Sequence, residues 1–173
     1  MRVGGALQGL LVRSVTPDDA EGVARVLNEA IVDGRYSLLD TPFPVEAERA
    51  YIAAFPPRGV FNVGELDGEG IVAVQSLEPF SQYTTHEHDH VLTMGTWVSE
   101  PFRRRGIARS LAEVSFATAR ERGFEKVFTD IRADNLPSLA FHLALGFAVV
   151  GTARRQARLG ERYVDVVFVE RFL

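Results

Sequence analysis

The residues with the clearest chemical pattern in this sequence form a basic turn, where three consecutive arginines precede Gly106. The apolar stretch before it, residues 90–98, is typical of a largely buried strand. After it, apolar residues recur at offsets of four, three and four, which predicts a helix. A helix N-terminus offers unpaired N–H groups and a favourable dipole to an anion, and glycine lets the backbone approach. The turn therefore predicts a phosphate-binding site, strengthened by charge-assisted hydrogen bonds from the arginines.

A resemblance to a known family rests on this turn and on a second block downstream. The GNAT superfamily of acyl-CoA N-acyltransferases has a pyrophosphate loop of pattern R/Q-x-x-G-x-G/A, and here the loop reads Arg103, Arg104, Arg105, Gly106, Ile107, Ala108. The second family block, N-x-x-S/A-x-x-F/L-Y/H-x-x-x-G-F, is present as Asn135, Ser138, Phe141, His142, Gly146 and Phe147. Because both blocks occur in the family's order and spacing, the chain is identified as a member. The histidine is typical of the branch that resembles phosphinothricin and related amino-acid acetyltransferases.

The length and composition suit one globular domain, so residues 1–173 are expected to form a single N-acetyltransferase (GNAT) domain. Of the 173 residues, 46% are hydrophobic and 24% are charged. The net charge of −4 does not favour a nucleic-acid or membrane partner. The absence of cysteine excludes disulfides and a cysteine nucleophile. No signal-peptide pattern is present, and no run approaches the roughly 18 apolar residues of a membrane span, so a cytoplasmic location is expected.

Hydrophobic periodicity and turn residues predict the element order β-α-α-β-β-β-α-β-α-β-β. Strands are predicted at 10–15, 60–66, 71–77, 90–98, 126–132, 147–153 and 163–172. Helices are predicted at 16–33, 45–55, 106–123 and 135–146, and loops at 35–44 and 78–89. The resemblance implies an α/β (α+β) fold, with a mixed central sheet of six to seven strands and helices on both faces.

The resemblance also implies how the donor, acetyl-CoA, is bound, and that no metal is needed. The pyrophosphate is expected on residues 103–108, with Asn135 and Ser138 as further donor-binding residues. The pantetheine arm is expected to lie beside the fourth strand, against backbone groups of Trp97 and Val98. Gly95 is the expected site of a bulge that splays the sheet there. The Val98 N–H is expected to donate a hydrogen bond to the thioester oxygen as that oxygen gains charge.

Acyl transfer to an amine also requires two proton movements, which the sequence assigns unequally. His142 occupies the family's proton-donor position, from which it would protonate the departing thiolate. The branch often has a glutamate base in the fourth strand, but Thr93 stands at that position here. Glu87, Asp89, Asp130 or a water molecule remain as candidate bases. Of these Asp89 is preferred, because it directly precedes the strand that the acceptor should approach.

The acceptor pocket is expected to use two loops and the final hairpin. Its candidate residues are Arg35, Tyr36, Ser37, Phe80, Tyr83, Arg154, Arg155, Arg158 and Arg162. The hairpin arginines would either grip a carboxylate or form a solvated basic turn, and they border an edge at which a homodimer is one candidate assembly. Alternating His86, His88 and His90 could bind zinc, but no second cluster completes such a site, so a polar lip over the acceptor is the preferred interpretation.

The sequence therefore predicts an acetyl-CoA-dependent N-acetyltransferase that acts on a primary amine of a small molecule or amino-acid-like acceptor. Direct attack in a ternary complex is expected, because no cysteine is present to carry the acyl group. Two alternatives remain at this point. One is acetylation of a protein N-terminus or lysine, and the other is an acyl-CoA-binding module without turnover, which the threonine at position 93 motivates.

Overall fold

A seven-stranded mixed sheet with the strand order β1-β2-β3-β4-β5-β7-β6 carries the candidate residues in the computed structural model, which describes residues 8–80 and 86–173. The strands are β1 Leu10–Ser14, β2 Val60–Leu66, β3 Gly70–Pro79, β4 Val91–Val98, β5 Lys126–Arg132, β6 Ala148–Leu159 and β7 Arg162–Phe172. The α-helices are α1 Ala20–Asp33, α2 Val45–Ala54, α3 Ile107–Glu121 and α4 Leu136–Ala144. The expected mixed sheet and element order are confirmed.

Three elements differ from the prediction for identifiable reasons. β3 continues to Pro79 because its last residues pair with β4. β6 continues to Leu159, past an irregularity where Arg155 adopts a left-handed φ of 52°. The helix predicted from residue 16 begins as a 3-10 turn, Pro17–Asp19, with a capping box between Thr16 and Asp19, and becomes α-helical at Ala20.

Apolar cores lie on both faces of the sheet. On one face, α3 and α4 pack against Leu77, Leu92 and Met94. On the other face, α1 and α2 pack against Phe61 and Val74. Each strand alternates its side chains between these faces, so the register decides which side chains face α1 and α2. Within residues 8–80 and 86–173, none of the helices has the length and apolar character needed to cross a bilayer.

The parallel pairing of β4 with β5 stops almost as soon as it begins. Only two residue pairs form, Val91 with Lys126 and Leu92 with Val127. Beyond them the strands diverge, and the Thr129 hydroxyl donates to the Met94 carbonyl oxygen across the opening at 2.9 Å. The result is a V-shaped gap in the sheet, closed at Leu92 and open toward the end of β4.

The gap does not come from a bulge at Gly95, so that expectation is wrong. β4 pairs with β3 in an unbroken register from Leu92 to Val98. Instead, Gly95 makes room for a neighbouring side chain: a Cβ atom at this position would lie 2.3 Å from Cη2 of Trp97. The glycine therefore lets the indole ring fold back across the strand on the face of α1 and α2.

Glu48 makes the stability of the fold depend on pH, and a single substitution can test this. It is 3% exposed on α2, its Oε1 atom has no hydrogen-bond partner, and burial raises the pKa of its carboxyl group. The folded state therefore holds this proton more tightly than the unfolded chain, whose glutamate pKa is about 4.3. The stability that this difference contributes is lost as the pH rises from the unfolded-state pKa through the folded-state pKa.

We expect Glu48→Gln to raise the melting temperature at pH 7.5 but not at pH 4. Each 1 kcal/mol gained in the free energy of unfolding should raise it by about 2–4 °C. Thermal unfolding followed by circular dichroism at both pH values measures the difference. Glu46→Gln, on the exposed side of the same helix, is the matched control and should change neither value appreciably. An equal gain at both pH values would contradict this explanation.

Candidate active site

The basic turn has the backbone conformation of an anion site. Arg104 and Gly106 both adopt left-handed φ values, 60° and 84°. Gly106 caps α3, which begins at Ile107. Left-handed residues that alternate along a turn direct successive N–H groups into a concavity, and the helix N-terminus adds further unpaired donors. The turn therefore has the main-chain geometry that a phosphate site requires, and phosphate binding there stays a prediction.

The three arginines have different surroundings. Arg103 donates from Nε to the Val98 carbonyl oxygen at 2.9 Å and so ties the turn to the end of β4. The Arg105 guanidinium lies over the Phe102 ring, 5.4 Å from its centroid. Arg104 is exposed and makes no such contact with the described residues. Arg103 therefore holds the shape of the turn, while Arg104 is the arginine best placed to reach a bound anion.

The next two residues of the predicted loop begin α3. Ile107 is 1% exposed and packs in the core beneath the sheet, which anchors the start of the helix. Ala108 is partly exposed, and its small side chain leaves the helix N-terminus open. Of these two residues, therefore, only main-chain groups are positioned for a phosphate.

The sheet register shows which backbone groups of β4 face the gap. The Ser99 N–H donates to the Val72 carbonyl oxygen at 3.0 Å, so the neighbouring pair Val98 and Ala73 is a non-hydrogen-bonded one. The N–H and C=O groups of Val98, and by alternation those of Thr96, therefore point away from β3 and into the gap. Those of Trp97 point toward β3. The register thus moves the expected backbone contact from Trp97 to Thr96 and keeps it at Val98.

The second sequence block forms the start of α4. The Asn135 side chain caps this helix by accepting from the Ser138 N–H at 3.1 Å. Both residues are partly exposed at the end of β5 toward which the gap opens. The cap uses only the Oδ1 atom of Asn135, so the predicted role of these residues in donor binding stays a prediction.

His142 lies inside the protein rather than on its surface. It is 5% exposed, and its ring makes edge contacts with Phe141 and Phe147 at centroid distances of 5.2 and 5.1 Å. Its Nδ1 lies 2.8 Å from the Ser138 carbonyl oxygen. Because a carbonyl only accepts, we assign the ring proton to Nδ1, and burial lowers the pKa of the imidazole. His142 must therefore take up a second proton before it can donate one from Nε2.

Asp89 lies at the wrong end of β4 for the role predicted for it. It precedes the strand, whereas Val98 ends it, and the seven residue steps from Val91 to Val98 alone span about 23 Å. A general base must reach its proton directly or through one water molecule. Asp89 instead has its Oδ2 2.9 Å from His86 Nδ1. It cannot serve the thioester that Val98 would hold.

A cavity of about 300 Å³ lies beside the gap on the face of α1 and α2. It is lined by Glu78, Pro79, Phe80, Thr93, Phe128, Thr129, Asp130 and Phe168. Thr93 is the position at which the branch has its glutamate, and the register places Glu78 directly opposite it on β3. Asp130 lies opposite Phe168 on β7, and burial raises the pKa of its carboxyl group. The carboxylates of Glu78 and Asp130 thus line the same cavity as Thr93, the position at which a glutamate is missing.

The cavity includes only part of the predicted acceptor pocket. Phe80 lines it, and Tyr83 lies outside the described residues. Arg35 is held by Asp33 at 2.6 Å and Glu100 at 3.0 Å. None of the hairpin arginines lines the cavity. The sequence missed Glu78 and Phe168 because only strand pairing brings them there.

Two other predictions concern the edges of this site. The Ser37 carbonyl oxygen accepts from Arg132 Nη1 at 2.9 Å, which ties the loop after α1 to the end of β5. In the hairpin, the Arg155 guanidinium lies over the Tyr163 ring, and Arg162 is 3.5 Å from Asp134. In the part of the chain that the structure describes, no three metal-binding side chains come together.

Comparison with known sequences and structures agrees with the geometry of the site. Residues 24–147 match the sequence model of the acetyltransferase (GNAT) family. No curated protein sequence matches the chain closely. An N-acetyltransferase from Staphylococcus aureus Mu50 has a similar fold, with a TM-score of 0.87 and 18% identity over 95% of this chain and 99% of that one.

Two further solved structures are similar in fold and differ from each other in acceptor. A ribosomal-protein-alanine N-acetyltransferase from Brucella melitensis has a TM-score of 0.85 and 24% identity, over 94% of this chain and 99% of that one. A phosphinothricin acetyltransferase from Sinorhizobium meliloti, in complex with acetyl-CoA, has a TM-score of 0.87 and 17% identity, over 96% and 89%. At these identities the likeness shows the fold alone.

The turn itself gives opposite expectations for its two left-handed residues. Gly106→Ala should destabilise the protein by about 1 kcal/mol, because a Cβ atom is disfavoured at a φ of 84° even though nothing lies within 4 Å of it. Arg104→Gly should cost less or be stabilising, since its backbone is already left-handed. Urea unfolding of the two variants measures this. Equal destabilisation by both would contradict the strained conformation assigned to the turn.

Proposed function

This chain belongs to the acetyltransferase (GNAT) family, and we propose that it transfers the acetyl group of acetyl-CoA to the primary amine of a small molecule or amino-acid-like acceptor. The observation that carries the proposal is the continuity of one groove. The anion turn at residues 103–108 leads into the gap between β4 and β5, and the gap borders the cavity that contains Asp130. A donor that is anionic at one end and amide-rich along its length fits this path.

The donor would follow the path from the turn inward. Its pyrophosphate would bind the N–H groups at the start of α3, with Arg104 alongside. The amides of its pantetheine arm would pair with the gap-facing backbone groups of Thr96 and with the Val98 N–H, as an added strand would. The thioester, being farthest from the pyrophosphate, would lie toward the closed end of the gap. The N–H groups of Val98, as predicted, and Thr96 are the two donors available to its oxygen.

The reaction is a direct transfer in this arrangement. The amine nitrogen attacks the thioester carbonyl carbon, a C–N bond forms, and the C–S bond breaks to release coenzyme A. The amine loses a proton and the departing sulfur gains one. The contribution of the protein is alignment of the two reactants and fixed N–H donors that stabilise the charge on the oxygen.

A small acceptor is favoured by the size of the cavity. Its volume of about 300 Å³ is that of a small-molecule site. The solved structures with this fold include both a ribosomal-protein-alanine and a phosphinothricin acetyltransferase, so the fold alone favours neither kind of acceptor, and only the cavity favours a small one.

The test is release of free thiol from acetyl-CoA, followed with a thiol-reactive dye across amino acids, amines, polyamines, aminoglycosides and short peptides. The protein contains no cysteine, so it adds no background. We expect turnover with at least one small amine, and more slowly with peptides. Turnover with peptides alone would instead identify a protein acetyltransferase. Binding of acetyl-CoA by calorimetry, without turnover on any acceptor, would identify a binding module.

The proposed role of His142 can be tested without opening a cavity. His142→Phe keeps an aromatic ring between Phe141 and Phe147 but removes both nitrogens. We expect it to lower kcat about 10–100-fold, at the low end for proton transfer, with little change in acetyl-CoA affinity. Leu143→Ala, which removes an exposed side chain from the same helix, is the matched control. A folded His142→Phe variant with unchanged kcat would show that the histidine only packs.

A further inference from the structure

Asp130 is the one charged side chain on its face of β5 that has no partner there. Lys126, four residues before it on the same face, is paired with Glu170 at 2.5 Å. Arg132, two residues after it, is paired with Asp134 at 2.7 Å. For Asp130 itself, no ion pair or side-chain hydrogen bond occurs with the described residues. Its carboxylate thus faces the cavity without a countercharge.

The strand register places Asp130 beside the reacting part of the gap. Leu92 is paired with Val127, and the Thr129 hydroxyl reaches the Met94 carbonyl oxygen, so the two strands advance together. Continuing this register brings Asp130 level with Gly95, one residue from Thr96. That offset is about 3.3 Å along the strand. A carboxylate at this level of the sheet lies beside the position from which an amine would attack a thioester held by the Thr96 or Val98 N–H group.

Glu78 adds a second carboxylate across the position where β4 has none. It faces Thr93 in the register between β3 and β4. It accepts a hydrogen bond from the Tyr51 hydroxyl at 2.6 Å, which fixes it at the rim of the cavity. The Tyr51 hydroxyl holds Glu78 in place, so its negative charge can attract an ammonium group to the cavity.

Three of the other residues that line the cavity are aromatic. The Phe128 and Phe168 rings are stacked with their centroids 5.6 Å apart, and Phe80 meets Phe128 edge-on at 5.7 Å. None of the described residues that line the cavity is cationic. An ammonium group would be attracted by the carboxylates and the ring faces. A carboxylate on the acceptor would find no partner there and would be repelled.

We propose that Asp130 takes the proton that the acceptor's ammonium group must lose before attack, and that the surrounding cavity selects primary amines carried on an apolar group with no carboxylate beside the amine. The proposal rests on the proposed function and narrows its acceptor. It also gives the site a base, although Thr93 replaces the glutamate that often serves as the base. That replacement was the reason to consider an acyl-CoA-binding module without turnover.

The proton balance of the step is complete without a further reactant. The ammonium gives one proton to Asp130, which later passes it to solvent, and the neutral amine attacks the thioester carbon. The second proton leaves the nitrogen as the C–N bond is completed, and the departing thiolate gains one proton, which His142 would deliver in the role proposed for it. The products are the N-acetyl amine, coenzyme A as thiol, and one released proton. Burial raises the pKa of Asp130, which makes its carboxylate a stronger base for the first of these transfers.

Matched acceptor pairs test the selectivity on the unmodified protein. Tyramine is compared with tyrosine, phenethylamine with phenylalanine, and cadaverine with lysine, by thiol release from acetyl-CoA. We expect kcat/KM to be at least about tenfold higher for the amine of each aromatic pair, because like charges brought together in a binding site are strongly disfavoured. Equal or better use of the amino acids would overturn the inference and leave the proposed function standing. No turnover with either member of any pair, although acetyl-CoA binds, would overturn the inference, and silence across the wider acceptor panel would overturn the proposed function as well.

Asp130→Asn tests the base. We expect kcat/KM for the best amine to fall about 100-fold at pH 7, the lower range for a general base. Activity should recover only as the pH approaches the amine's own pKa of about 10. Glu125→Gln, an exposed carboxylate just before β5, is the matched control. Unchanged activity and an unchanged pH profile in a folded Asp130→Asn protein would overturn the role.

A second variant separates loss of the base from loss of structure. Thr93→Glu, added to Asp130→Asn, returns a carboxylate to the same cavity from the opposite strand. We expect it to restore part of the lost kcat/KM and the low-pH limb of the profile. The melting temperature of Asp130→Asn should change little, since Asp130 is exposed and the substitution breaks no ion pair with the described residues. Failure of the added carboxylate to restore any activity in a folded protein would count against Asp130.

Discussion

Backbone N–H and C=O groups on a strand need partners, and β4 lacks those that β5 would supply beyond Leu92. The candidate site depends on these backbone groups of β4 that have no strand partner. One edge of β4 stays fully paired with β3, so the strand keeps its shape while its other edge opens. The Val98 carbonyl oxygen already accepts from Arg103, so the Val98 N–H and the backbone groups of Thr96 are left for solvent or for a ligand that offers amides at the same spacing. A donor with an amide-rich arm therefore completes a sheet that the chain leaves incomplete.

The remaining parts of the site are placed by this opening. Arg103 fastens the anion turn to the end of β4, so the start of α3 lies where the gap is widest. Thr129 bridges the narrow end. On the face of α1 and α2, the diverging strands leave the cavity in which Asp130 lacks a partner. Donor and acceptor would thus meet at one level of the sheet from different directions.

The sequence predicted what is encoded locally and missed what depends on pairing at a distance. The turn around Gly106 and the helix after it were predicted because backbone conformation and hydrophobic period are local signals. Gly95 was read as a bulge, whereas its lack of a side chain serves the Trp97 ring. Glu78 faces Thr93 only through the register of two strands joined by a long loop, which no local pattern reveals.

The two catalytic predictions show the same limit. The motif placed His142 correctly on α4, but its burial depends on how that helix docks against Phe147. Asp89 was chosen for its closeness to β4 in sequence, although a strand about 23 Å long has two distant ends. A base for the amine had to be sought on the neighbouring strand, where Asp130 was one of several candidates that sequence alone could not rank.

The position of Trp97 gives the protein an optical property of its own. It is the single tryptophan in the chain, and its ring lies over Gly95, at the level of the sheet where donor and acceptor would meet. Indole emission responds to the polarity and hydration of its surroundings. A donor that binds in the gap at Thr96 and Val98 would lie beside the residue that carries this ring, and no other indole is present. Tryptophan emission, excited selectively over the four tyrosines, is therefore expected to report occupancy of the gap.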